Sequence, residues 1–467
     1  MRKKLIHTIL IICISALLFS CDISGFTKND DAKAVMLSVG MDYQNNEVAP
    51  QLSGVINDVY EMSAAFKEVY GRKNVPIDIK YLVQEGYDIL VQVRCVAIES
   101  ELNSIIENVR NYVESLQPVP TNLTGQYDAE EGFVVRFYTD SIESAENIKE
   151  TLENKYTGKV YVNFSSIINS SSYPSKENII SAINSAKSLR SKDLFIMYYT
   201  GHGEIYKTLS DSNLERVLTP YIESGAITQD VYNNALLSLE IKDETSIFNA
   251  LMTNNVETAT VEDIYRKVKT EIEKNSIPKG ALITAKTEKD YYGLLDMERL
   301  YAILETLECK VILILDACYS GFASEEGFEG ISLSSSLKSF MHSPTLPNVC
   351  ALSASSPDET SKVTVVRTLE GELQRHSAFT IDVLEGLGWQ HSTAKQTYLR
   401  VPSFSLNENG EVEETTEIRS VEGFIGSTPS RITADDFFDN IKKDFNEKGN
   451  NQTPQRNNSG YLICIIP

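Results

Sequence analysis

Four stretches of the chain are short apolar runs without polar alternation: Ala34-Val35-Met36-Leu37-Ser38-Val39-Gly40, Leu194-Phe195-Ile196-Met197-Tyr198-Tyr199, Val311-Ile312-Leu313-Ile314-Leu315 and Val349 to Ala354. Runs of this kind predict strands covered on both faces, as in a parallel sheet. Ile77 to Val83 alternates and predicts a further strand, and Tyr461–Ile466 reads as a closing one. Helical spacing appears from Leu52 to Tyr70, through Val55, Val59, Met62, Ala65, Phe66 and Val69, and stops at Gly71. Ile179, Ile180, Ile183 and Leu189 share one face of a second helix that starts near Pro174 or Ser175. Met297–Leu307, Phe379–Leu387 and Ala434–Phe445 complete the helical segments. Strands alternating with helices over this length predict an α/β fold, a mostly parallel sheet with helices on both faces.

Two segments interrupt that alternation. Residues 86–165 read as a small α/β lobe: strand-like Tyr87–Val96, helix-like Glu99–Leu116, a Pro/Thr/Asn/Gly loop, strand-like Phe133–Tyr138, helix-like Ile142–Leu152 and strand-like Lys159–Phe164. Residues 204–280 read as a mostly helical, polar insertion, followed by a short strand at Ala281–Thr284.

The N-terminus changes the picture. Met1-Arg2-Lys3-Lys4 is basic, Leu5 to Phe19 is apolar, and Ser20-Cys21 follows, which is the anatomy of a secretory signal peptide (residues 1–20). Leu18-Phe19-Ser20-Cys21 resembles a bacterial lipobox, which implies that Cys21 is acylated and heads the mature chain. A linker over 21–32 then leads to the domain at 33–467, and the protein is expected to be exported and lipid-anchored to a cell or outer membrane.

With 43 basic and 65 acidic residues the formal charge is −22. Such a surface repels phosphate backbones, so nucleic acid is excluded as a general partner and cationic peptides are favoured. Seven cysteines, at 13, 21, 95, 309, 318, 350 and 464, leave five after signal removal and lipidation. An odd number with irregular spacing is neither a disulfide framework nor a zinc pattern, so no metal site is expected from them.

Two of the apolar strands end in glycine-bearing turns that carry reactive groups: Thr200-Gly201-His202-Gly203 after one, and Asp316-Ala317-Cys318-Tyr319-Ser320-Gly321 after the other. Reactive groups of open α/β sheets gather beyond the carboxyl ends of parallel strands. A thiol beside an imidazole suffices for covalent acyl transfer, His202 handling the proton while Cys318 attacks a carbonyl carbon. The backbone N–H groups of Gly203 and Cys318 are candidates for stabilising the oxyanion.

Tyr199-Thr200-Gly201-His202-Gly203 and Asp316-Ala317-Cys318-Tyr319-Ser320-Gly321 resemble the His and Cys motifs of caspase-like peptidases, the metacaspase and bacterial caspase-homologue branch above all. Leu52-x-Gly54-x-x-Asn57-Asp58 resembles that branch's helix start. Ser353-Ala354-Ser355, Ala378-Phe379-Thr380 with Leu384-Glu385-Gly386-Leu387, and Gln452-Thr453-Pro454-Gln455 resemble its later landmarks in the same order. Tyr319 stands where metacaspases commonly have His. The resemblance implies a caspase-like sheet and an endopeptidase working through a Cys318–His202 dyad. Asp58 and Asp316, with Thr200 as a further wall, would form an S1 pocket for a P1 Arg or Lys. No cofactor is required; calcium is a candidate, with the acidic run Glu325-Glu326 after the nucleophile read either as a remnant of such a site or as two solvent-facing glutamates, and no ligands are assigned. Lys338 is a candidate for self-cleavage. A catalytically silent binding lipoprotein and a transpeptidase using the same acyl-enzyme are the alternatives.

Overall fold

The computed structural model describes residues 32–44, 49–128, 132–239, 241–287, 293–317, 348–354, 362–391, 393–427, 430–448, 454–456 and 463–467. The signal segment, Cys21, Cys318 to Gly321, Glu325, Glu326, Lys338, Ser355, Gln452 and Thr453 lie outside the described residues.

A six-stranded sheet organises the molecule. Its strands are β1 (Ala34–Met41), β2 (Ile77–Gln84), β3 (Leu194–Thr200), β4 (Lys310–Asp316), β5 (Val349–Ser353) and β6 (Gln455–Arg456), in the spatial order β2-β1-β3-β4-β5-β6. The first five run parallel and β6 is antiparallel to β5. The order reverses between β1 and β3, and the carboxyl ends on either side of that reversal form the crevice where α/β sheets place ligands.

The apolar runs lack alternation because both faces of each strand are covered. In β3, Phe195, Met197 and Tyr199 join one core, with helices α2 (Lys176–Ser185) and α3 (Met297–Leu304) packed on it. Leu194, Ile196 and Tyr198 join the other, under α1 (Val55–Arg72), α4 (Ala378–Gly386) and α5 (Ala434–Glu447). Local capping fixes where several of these helices begin: Ser175 accepts from the Asn178 N–H, Asp296 from Arg299 and Thr433 from Asp436. The mostly parallel α/β sheet expected from the sequence is the architecture found.

The lobe is richer than its sequence suggests. Strands Ile89–Cys95, Thr121–Asp128, Gly132–Thr139 and Val160–Ser166 and helices Glu99–Glu114 and Ile142–Lys155 form a β-α-β-β-α-β unit. The strands stand in the order 121–128, 132–139, 89–95, 160–166, all antiparallel, which is the split βαβ arrangement. Thr121–Asp128 replaces the expected loop. It is an edge strand with no fully buried side chain between Thr121 and Tyr127, so no apolar alternation marks it. The open face of this sheet meets a long hairpin, Gln396–Leu406 with Val412–Glu422, where the Gln92 amide bonds both backbone groups of Leu406.

The second insertion is helical only in its body. Gly203–Thr208 pairs antiparallel with Ile277–Ile283, which pairs in turn with Leu294–Asp296, and this stalk carries the helices. Helices Asp211–Glu223, Glu244–Thr253 and Thr258–Asn275 close on their own core of Leu214, Leu218, Leu236, Ile247, Leu251, Val261, Ile264 and Val268. Among the described residues no helix is long and apolar enough to cross a membrane.

Candidate active site

β3 and β4 are hydrogen-bonded neighbours in register, Thr200 opposite Asp316, and the Gly201 N–H donates to the Asp316 carbonyl at 3.1 Å. The His202 turn and the carboxyl end of β4 therefore lie side by side at the same end of the sheet. Gly201 is required there by close approach. A Cβ on it would lie 2.5 Å from the Tyr43 hydroxyl and 2.9 Å from that of Tyr199.

His202 is held on four sides. Its backbone N–H donates to the Tyr43 hydroxyl at 2.8 Å, and its carbonyl accepts from the Tyr199 hydroxyl at 2.8 Å and from the Ile283 N–H at 3.0 Å. The Tyr43 ring meets the imidazole edge-on, centroids 4.7 Å apart. Nε2 lies 2.7 Å from the Pro50 carbonyl, which can only accept, so Nε2 carries the proton and Nδ1 is the nitrogen left for chemistry in the neutral ring. Burial lowers the His202 pKa, against the bond to Pro50, which raises it. The ring is thus neutral at pH 7. Gly203 opens the stalk strand opposite Leu282, and the Ile283-to-His202 bond makes Gly203–Leu282 a non-hydrogen-bonded pair. Its N–H is accordingly not spent on that ladder.

Beside His202 lies a cavity of about 60 Å³ lined by Leu52, Asp58, Thr200, Asp316, Lys362 and Ser377, among others. The two carboxylates at its base are almost fully buried, Asp58 at 1% and Asp316 at 3% exposure. Ser377 stands between them, its N–H donating to Asp58 Oδ2 at 3.0 Å and its hydroxyl to Asp316 Oδ1 at 2.8 Å. Thr380 donates to Asp316 Oδ2, and His376 Nδ1 lies 2.8 Å from Asp58 Oδ1. Burial pushes the Asp58 carboxyl up to about 7, against the lowering effect of His376. Asp58, Thr200, Asp316 and His202, singled out from the sequence, thus meet around one cavity.

The cysteines sort by elimination. Cys95, Cys309, Cys350 and Cys464 are buried and free. Burial pushes the thiols of Cys95 and Cys309 up to about 11 and 12, and that of Cys350 higher still. Thiols held protonated in this way are poor nucleophiles. Cys318 follows Asp316 by two residues in the sequence and lies outside the described residues.

A family model described as the caspase domain matches residues 138–459, well over half of the chain. The chain belongs to the caspase-domain family. No curated protein matches it. As a caspase-domain protein it is a cysteine-type peptidase, a hydrolase. β1, α1 and β2 precede the matched residues, and β1 pairs with β3 in the same sheet.

Pro50, Tyr43, Ser377 and His376 have no part in the sequence-based reading of this site, and Tyr199 enters it only as a member of the His motif. The first four reach the site from a loop or strand end whose proximity the sequence does not state. His376 had one available signal, its place two residues before the Ala378-Phe379-Thr380 landmark. Among the described residues no group of three or more His, Cys, Asp or Glu is arranged to hold a metal ion, and Glu325-Glu326 lies outside them.

Proposed function

We propose that this caspase-domain protein is an endopeptidase that cleaves after Arg or Lys through Cys318 and His202, tethered to a bacterial envelope by lipid on Cys21. The observation that carries the reading is the pair of buried carboxylates, Asp58 and Asp316, at the base of a cavity that opens beside His202. A guanidinium or ammonium entering that cavity replaces water with charge-assisted hydrogen bonds. An acidic P1 side chain would meet like charge there.

Chemistry follows from the ring's fixed tautomer. Nδ1 of His202 takes the thiol proton as Cys318 Sγ bonds to the scissile carbonyl carbon. The oxyanion that forms accepts from the backbone N–H groups of Gly203 and Cys318. The proton then passes to the leaving nitrogen as the C–N bond breaks, which leaves an acyl-enzyme. Water attacks that thioester, His202 takes its proton, and the thiol is restored as the acid leaves.

The test uses the mature chain from Asp22 and fluorogenic peptides ending in Arg, Lys or Asp, with and without calcium. Cleavage after Arg or Lys, lost in Cys318→Ala and in His202→Ala, is the expected result. Cleavage after Asp alone would keep the dyad and overturn the roles of Asp58 and Asp316. For the tether, Cys21→Ala should move the full-length protein from the membrane fraction to the soluble one. Retention at the membrane would refute lipidation there.

A further inference from the structure

Under the cavity lies a chain of ionisable groups that the peptidase chemistry does not use. Asp58 and Glu61 stand one turn apart on α1, both buried, at 1% and 5% exposure. His376, with no exposed surface, is wedged between them: Nδ1 is 2.8 Å from Asp58 Oδ1, and Nε2 is 3.7 Å from Glu61 Oε1 with no hydrogen bond of its own. Glu61 Oε2 accepts from the Trp389 indole at 3.1 Å and lies 2.7 Å from His391 Nδ1. Among the described residues neither Asp58 nor Glu61 is paired with a Lys or Arg; their ion-pair partners there are the two imidazoles.

Buried charges must be compensated, or the group gives up its charge. Among the described residues the group that can place a compensating charge directly on Asp58 is His376, 2.8 Å away. A cationic P1 side chain would supply the same charge from the other side. The two positive charges compete for one carboxylate.

Resting on the basic-P1 reading, we infer that His376 is a specificity-determining residue whose proton is exchanged for the substrate's cation. When the ring is charged, the Asp58–His376 pair is neutral and the cavity is a weak cation site. When the ring is neutral, Asp58 presents its full charge. Binding of Arg or Lys therefore releases a proton and weakens as the pH falls.

The direction agrees with the titration of the pair. Burial, which lowers the His376 pKa, is outweighed by the Asp58 hydrogen bond and by the charges of Asp58 and Glu61, so the value is raised above the ordinary one. The proton belongs to the pair rather than to either member. The other groups that face it are Asp316 at the end of β4, Tyr198 on β3, His391 beyond Trp389, and Arg375 on its own strand, whose guanidinium bonds Ser53. His202 and Lys362 line the cavity and would repel a cation, His202 only once it is protonated.

The test is calorimetric and needs no turnover. The Cys318→Ala mature chain is titrated with acetyl-arginine methylamide and with its uncharged citrulline counterpart from pH 5.5 to 8.5, in buffers of different ionisation enthalpy. One linked proton changes affinity by at most about tenfold per pH unit. The arginine probe should weaken by about tenfold from pH 8 to pH 6 and release a proton on binding near neutrality, while the citrulline probe stays flat. His376→Gln should move the midpoint of both the pH dependence and the proton release to higher pH, because Asp58 is then left without the ring that holds its carboxyl down, which also separates this effect from His202. If that variant does not fold, Glu61→Gln serves, and the midpoint should move to lower pH. An arginine probe that binds equally at all pH values with no proton released overturns this inference alone. So does a dependence unchanged in the folded variants. An arginine probe that binds at no pH overturns the acidic-pocket reading and this inference with it.

Discussion

The Nε2 proton of His202 is committed to the Pro50 carbonyl, and this bond decides what the ring can do. Nδ1 is free to take a proton only while the ring is neutral. Burial lowers the pKa, so the working form is present at neutral pH and is lost as the pH falls through a value below the ordinary histidine figure of about 6.5. The acid limb of kcat should accordingly have its midpoint below pH 6.5, measured at saturating substrate. An acid limb centred above 7 would remove His202 as the base. Tyr43 acts on the same ring through the backbone, accepting the His202 N–H and touching the imidazole. Tyr43→Phe keeps the ring contact and orphans that N–H, which costs about 1–3 kcal/mol. The expected outcome is a fall in kcat of about tenfold with KM within a factor of two. A larger change in KM than in kcat would show that Tyr43 shapes the substrate cavity instead. At this scale the sequence was informative where a residue's position follows from its place on a strand end, as for His202, Thr200 and Asp316, which line one cavity. It was silent where the role comes from a contact between distant segments, as for Pro50, Tyr43 and His376.

Among elements, α1 matters most, because its first turn carries Asp58 and its second carries Glu61. The helix begins at Gly54, whose φ is 111°, in the left-handed region that glycine alone enters cheaply. The same glycine lies against the strand Leu373–Ser377. A Cβ there would sit 2.6 Å from the Arg375 carbonyl oxygen, and the Asn57 amide bonds that same oxygen at 3.3 Å. Gly54→Ala should therefore strain the backbone and push α1 away from the strand bearing His376. The expected loss is about 2–6 kcal/mol by urea denaturation, the strained φ and the clash each contributing about 1–3 kcal/mol. A loss below about 0.5 kcal/mol would mean that α1 can shift without cost. The α1 periodicity was plain in the sequence because one face packs on the sheet. The hairpins Val363–Ser377 and Gln396–Glu422 were not, since both lie largely at the surface. In the first, Val363, Val365 and Leu373 are exposed, so apolar position no longer reports burial.

For the whole molecule, both insertions have cores of their own, and neither enters the central sheet. The expected helical character of 204–280 holds for the body and fails at both ends, because short strands of mixed polarity cannot be told from loops without their partners. Those ends carry the functional consequence. The stalk strand starts at Gly203, directly after His202, and its partner strand returns the Ile283 N–H to the His202 carbonyl. At the far end Thr208 pairs with Ile277, so the chain enters and leaves the helical body at one cross-strand pair. Two residues so placed have Cα atoms about 5 Å apart, the separation that a two-residue turn closes. Replacing residues 209–276 by Asn-Gly should thus leave the stalk, the His202 turn and the sheet intact. The shortened chain should fold, with circular dichroism keeping the α/β signature, and should cleave Arg-ended peptides with kcat/KM within about threefold. A folded chain that has lost cleavage would show that the body loads the stalk and, through Ile283 and Tyr43, holds His202 in place. That outcome would turn the insertion from a passenger into a means of setting the active site from about 70 residues of chain that carry no catalytic group.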